Sequence, residues 1–350
     1  MGLILVAILL TVFIGIKYRK HDNIDSYLDK DYTTSIIGIF AVLIFFKHFY
    51  NYLDYSTLNS LDMISAYINR GLGQLVVVPF MFFSGYGILE QIKKRGDKYV
   101  NTIPKGRALK VYLMFLLAWI PYFVLIFILP PIYSYQHVLW SVIGFTKIGN
   151  SNWYVVIIIA LYLSTYVSFK CISNRRDALI VNVLLAVLIM FILKNVGMES
   201  YWYDTIPAYA FGLIYSYNKD KIVLLYKTHK ASRWIMFAAS IASTVLFGML
   251  NILDNNIFFF SMMVISFCMI FACFLSLFAV KNKIVLTLGK YCFWIFVIHR
   301  FTMKVFYNVP AIVKNNYVYL LVCMVSTAVL AFALEKLFSV IWKLLNKKKA

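Results

Sequence analysis

The sequence predicts an all-α protein, a polytopic integral membrane helix bundle of about 11 transmembrane helices. Three observations carry that reading. Hydrophobic residues make up 62% of the 350 and charged residues 14%, against about 45–50% and 25% in soluble domains. A water-soluble globule so composed would run out of polar side chains to cover its surface, and disordered chains are poor in the apolar and aromatic residues that abound here. Apolar runs of the length needed to cross a hydrocarbon core, about 17–25 residues, recur along the whole chain. The basic residues fall in alternate connections between those runs, as positive-inside topology requires.

The runs lie near 1–16, 35–53, 72–90, 108–129, 153–170, 178–194, 202–217, 233–251, 257–280, 286–306 and 316–342. The first lacks a basic n-region and a small-residue cleavage site, and Lys17, Arg19 and Lys20 follow it. It reads as a retained anchor over 1–20 rather than a cleaved signal peptide. A polar linker over 21–34 leads to the main bundle over 35–342, and a basic tail, 343–350, follows. With the N-terminus outside, 26 of the 34 Lys and Arg lie in cytoplasmic connections. Only Arg70, Lys147, Lys194 and Lys314 lie outside, while Lys47, Arg300, Lys304 and Lys336 fall within spans. That split predicts a multi-pass plasma-membrane protein with a cytoplasmic C-terminus, and it accounts for the net charge of +20 without a nucleic-acid partner. The five cysteines show no CxxC or zinc spacing, so no metal is expected.

Ionisable groups within spans are costly, so they pair, snorkel or work. His48 lies thirteen residues beyond Ser35, about 20 Å along the helix and in its outer half. An imidazole there suits a general base acting on an acceptor hydroxyl, and equally a hydrogen-bonded interhelical histidine. Lys47 faces another side and reads as snorkelling. Ser84, Gly85 and Gly87 permit close helix approach, and Glu90 reads as an interfacial ion pair. Lys105, Arg107 and Lys110, at the start of a span, suit either the phosphates of a nucleotide-like cosubstrate or ordinary positive-inside charge. Asn152, Trp153 and Tyr154 read as an interfacial aromatic belt or a sugar site. His299 and Arg300 are adjacent ionisable groups in the tenth span, more than snorkelling predicts. Glu335 and Lys336 are close enough to the cytoplasmic side to reach the interface, and Asp204 opens the seventh span at an exposed boundary. No GxSxG elbow, Walker loop, HExxH or dinucleotide-binding fingerprint is present.

Taken in order, five segments resemble the membrane acyltransferase-3 family over roughly 33–342. They are IIGIFAVLIFFKHF, VPFMFFSGYGILEQIKKRG, IPKGRALKVYLMF, NWYVVIIIALYL and LGKYCFWIFVIH. The resemblance implies a ten-helix bundle that transfers an acyl group, usually acetyl from acetyl-CoA at the cytoplasmic face. The implied acceptor is a hydroxyl of a surface polysaccharide, peptidoglycan or lipid-linked sugar. It implies His48 as general base or acyl relay, Lys105 and Arg107 at the CoA phosphates, Ser84 and Gly85 as the Ser-Gly motif, and His299 as the closing histidine. Trp153 and Arg300 are expected to bind substrate. One position departs from the pattern: the family often has Arg eleven residues before the first-helix histidine, where this chain has Ile37. Many relatives add a hydrolase-like domain after the bundle, so completion by the membrane part or by a separate acyl-accepting or glycan-assembly partner is expected. The rival readings are a polysaccharide polymerase, disfavoured by the few external basic residues, and a lipid-linked sugar flippase or transporter.

Overall fold

The computed structural model describes residues 1–347, so the last three residues of the basic tail lie outside the described residues. The chain is built almost wholly of helices, because a backbone in hydrocarbon must bond its own N–H and C=O groups. In order come α1 (Gly2–Phe13), β1 (Ile16–Tyr18), α2 (Lys30–Phe49), α3 (Ser60–Gly71), α4 (Val78–Arg95) and the single turn α5 (Asp97–Val100). Next are α6 (Lys110–Leu125), α7 (Tyr135–Val142), α8 (Trp153–Cys171), α9 (Arg175–Asn195), α10 (Ile206–Thr228), α11 (Ser232–Leu253) and α12 (Ile257–Leu277). The last are β2 (Phe278–Val280), α13 (Lys283–Lys290), α14 (Cys292–Tyr307), the turn α15 (Pro310–Val313) and α16 (Asn316–Lys347).

Among the described residues, eight helical segments are long and apolar enough to cross a membrane. The pair α13–α14, bent by 76°, makes a ninth if counted as one span. The expected count of eleven is therefore not established. Helix α1 has 12 residues, about 18 Å of helix against a core of about 30 Å. Helix α10 is long enough, but its second half carries Lys219, Asp220, Lys221 and Lys227. The expected connections also hold structure of their own, since α3 and α7 fall within 54–71 and 130–152.

Small and hydroxyl side chains set the helix contacts, as they do where lipid competes for apolar surface. Gly85 of α4 lies against the Tyr209 carbonyl of α10, and Gly212 of α10 against the Phe82 carbonyl of α4; a Cβ at either would strike backbone. Gly38 of α2 and Gly289 of α13 form a second reciprocal pair, against the carbonyls of Val285 and Thr34. Asn182 of α9 donates to Ser164 and Thr165 of α8 at 3.3 and 3.2 Å, and Thr165 bonds Tyr209 at 2.7 Å. Between α14 and α16, Thr302 bonds Thr327 at 2.7 Å and Tyr319 donates to the Met303 carbonyl at 2.8 Å. Glu335, expected to reach the interface, instead accepts the Trp294 indole N–H at 2.5 Å.

The first segment is tied to the bundle by β1 pairing antiparallel with β2, Lys17 opposite Ala279. Beside it, the Arg19 side chain donates to the Leu275 carbonyl at 3.0 Å and stacks on Tyr32 at 4.5 Å. Arg233 donates to the Ser276 carbonyl at 2.9 Å.

Asp204, expected to be exposed, is 8% exposed in the loop before α10, and burial pushes its carboxyl up to about 6. The fold therefore keeps a proton that the unfolded chain loses near pH 4, so stability falls as pH rises from about 4 through 6. Asp204→Asn should remove that slope. It should stabilise the protein near neutral pH by on the order of 2–3 kcal/mol, read as a higher thermal midpoint in detergent.

Candidate active site

One end of the bundle is basic. The last turn of α4 carries Lys93, Lys94 and Arg95, favourable beside the helix carboxyl end, and Gly96 then turns the chain at φ +56°. A π-helical turn over Pro104–Leu109 follows, from which the Arg107 guanidinium donates to the Tyr99 hydroxyl at 2.9 Å. These side chains, with Lys30 and Lys219, line a cavity of about 950 Å³. Its wall holds Lys30, Lys93, Lys94, Arg95, Arg107 and Lys219 against the carboxylates of Asp29 and Glu90. Glu90 accepts from Lys93 at 2.9 Å and from Ser216 at 2.7 Å, with the Lys219 ammonium at 3.8 Å. The expected interfacial ion pair thus forms within the cavity wall.

A narrower space of about 270 Å³ shares Ile37, Ser84 and Arg107 with the large cavity. Its remaining walls include Phe80, Tyr154, Tyr162, Phe293 and Phe296. Arg107 thus stands at the junction of a polar chamber and an aromatic one. Beyond Phe296 lies a histidine pair. The rings of His48 on α2 and His299 on α14 are 5.0 Å apart between centroids, and Phe296 is 6.3 Å from His299. His299 is fully buried and its Nδ1 lies 2.9 Å from the Ile295 carbonyl. A carbonyl oxygen can only accept, so Nδ1 donates there, and Nε2 has no partner among the described residues. No hydrogen bond to the His48 ring forms among the described residues.

The structure brings His48 and His299 together and sets Ser84 and Arg107 on the cavity walls. It does not put Lys105 on either wall, and Gly85 serves the α4–α10 contact. Trp153 is buried at the start of α8, edge-on to Tyr154 and Tyr201 at 6.0 and 5.9 Å. Arg300 follows His299 beyond the aromatic chamber, away from the basic cavity. Lys47 donates to the Gly73 carbonyl, which gives its snorkelling a partner. Sequence reasoning missed Lys30, Lys219, Phe296 and Tyr99 as neighbours of Arg107 or the histidines. Lys93, Lys94 and Arg95 were visible only as positive-inside charge, and nothing local marks Lys219 on a distant helix. Ile37, where the family often has Arg, lines both cavities, so the departure falls on the wall of the chamber itself.

The acyltransferase-3 family model, described as an acyltransferase domain, matches residues 37–336. No curated protein and no solved structure matches the chain significantly. The match runs from the α2 glycine contact through the aromatic chamber and the histidine pair to Lys336 on α16. This multi-pass membrane protein belongs to the acyltransferase-3 family, whose members are acyltransferases moving groups other than aminoacyl groups.

Proposed function

We propose that this protein is a membrane O-acyltransferase that moves acetyl from cytoplasmic acetyl-CoA to a hydroxyl of a cell-surface polysaccharide or lipid-linked glycan. The observation that carries the reading is the basic cavity narrowing past Arg107 into an aromatic chamber that ends near two histidines. Six cations against two carboxylates suit a ligand with several phosphates, by charge-assisted contacts. A narrow, mostly apolar chamber suits the thin thioester arm of such a ligand.

In this scheme Arg107 holds the donor where its polar and apolar parts meet, and Phe296 moves aside to admit the acyl end to the histidines. An acceptor hydroxyl gives its proton to His48 as its oxygen bonds the thioester carbonyl carbon. The carbon–sulfur bond then breaks, the CoA sulfur leaves as thiolate, and the proton passes from the imidazole to that sulfur. The His299 ring, its Nδ1 held on the Ile295 carbonyl, packs 5.0 Å between centroids from that of His48, close enough to steady the imidazolium formed there.

Arg107→Gln should raise the KM for acetyl-CoA about tenfold or more while changing kcat little, since a hydrogen bond to a charged group contributes about 1.5–3 kcal/mol. The test uses the purified protein in lipid nanodiscs, with release of CoA thiol and labelled acetyl as readouts. Donor binding unaffected by Arg107→Gln would reject this assignment.

A further inference from the structure

We infer that the acceptor is anionic: it presents a phosphate or carboxylate beside the acylated hydroxyl, and Arg300, Lys304 and Asn150 hold that charge. This inference rests on the acyl-transfer reading and names the class of its acceptor.

In the bundle half opposite the basic cavity, Arg300 and Lys304 make no ion pair among the described residues. Arg300 and Lys304 lie one turn apart on α14, hence on one face. The loop at 148–149 packs on that same turn: Ile148 clusters with Tyr122 and Ile298, and a side chain at Gly149 would meet the stem and ammonium of Lys304. Lys147, at the start of the loop, donates to the Tyr201 hydroxyl, which in turn donates to the Glu199 carboxylate at 3.1 Å. Among the described residues the ion pairs involve Asp25, Asp62 and Glu90, and none includes Arg300, Lys304 or Lys147.

The hydrogen-bond accounting points the same way. The Arg300 Nε–H is sealed from solvent and has no acceptor among the described residues. Asn150, 2% exposed, accepts the Ile148 N–H through Oδ1 at 3.2 Å, and its Nδ2 donors are unmet. Reversing that amide would forfeit the Ile148 bond, so the surplus is of donors. Unmet donors and unpaired cations in a low-dielectric setting are costly, and an acceptor-only group of negative charge satisfies both. Asn152, fully buried, spends its N–H groups on the Gly144 and Thr146 carbonyls and keeps Oδ1 free, which matches a sugar hydroxyl. The two amides and the two cations thus offer complementary contacts for a charged sugar. Arg300 directly follows His299 on α14, so the proposed charge subsite borders the turn that carries the histidine.

The test determines the structure of the glycan that loses its acyl group when the gene is deleted, then measures acylation after restoring wild type, Arg300→Gln, Lys304→Gln or Arg300→Lys at equal membrane abundance. The expected glycan carries a phosphate or a uronate beside the acylated hydroxyl, and its structure says which. Arg300→Gln should lower acylation about tenfold or more, Lys304→Gln less, and Arg300→Lys should restore part of the loss. Lys304→Gln keeps the test open if Arg300→Gln does not accumulate. An acyl group on a sugar with neither phosphate nor carboxylate beside the acylated hydroxyl would overturn the inference and leave acyl transfer standing. So would wild-type acylation in both Gln variants. Unchanged acylation on deletion would overturn the transfer reading and this inference together.

Discussion

Replacing His48 with alanine is expected to lower acyl transfer by about 10²–10⁴, the range a positioned general base contributes. The His48 ring has no hydrogen bond among the described residues and lies 5.0 Å between centroids from the His299 ring. His299→Ala is expected to cost less than His48→Ala. The double variant should cost little more than His48→Ala alone, because residues that act as one unit are not additive. Membrane abundance and thermal midpoint, measured alongside, separate lost chemistry from lost protein. Full activity in a folded His48→Ala protein would remove the histidine from the mechanism.

Gly38→Val is expected to have the largest structural effect. The new side chain would enter the Val285 carbonyl and crowd the Gly289 amide, and both are backbone, so no rotamer change relieves it. Overpacking a tight contact costs about 1–3 kcal/mol and more where backbone must shift. Here α2 would be pushed from α13, and α2 carries His48 while α14, directly after α13, carries His299. Stability and activity should therefore fall together, with a lower thermal midpoint and reduced membrane abundance. Gly87→Ala is the control: no atom lies within 4 Å of a Cβ at that position, and it should fold normally.

Much of this arrangement was legible from residue type and spacing. The long apolar runs marked most of the spans because hydrocarbon demands them one helix at a time. His48, His299 and Arg300 stood out because ionisable groups are expensive there, whatever their neighbours. What escaped depends on contacts between distant segments. The run near 286–306 reads as one helix, yet the chain bends by 76° between α13 and α14. Nothing in three residues at 16–18 announces pairing with 278–280. Arg107 was identified by its motif, but its cavity is completed by Lys30 and Lys219 from other helices. Glu335 looked close to the interface by position, and a tryptophan on α14 holds it instead.

Acyl transfer by this protein is read most simply by mass spectrometry of the producing cell's surface glycans with the gene intact, deleted, and restored as wild type or as His48→Ala. Deletion should remove one acetyl mass, which the wild-type gene restores and His48→Ala at equal membrane abundance does not. Unchanged acylation, with shortened or missing glycan chains, would contradict acyl transfer and favour a polymerase or a flippase.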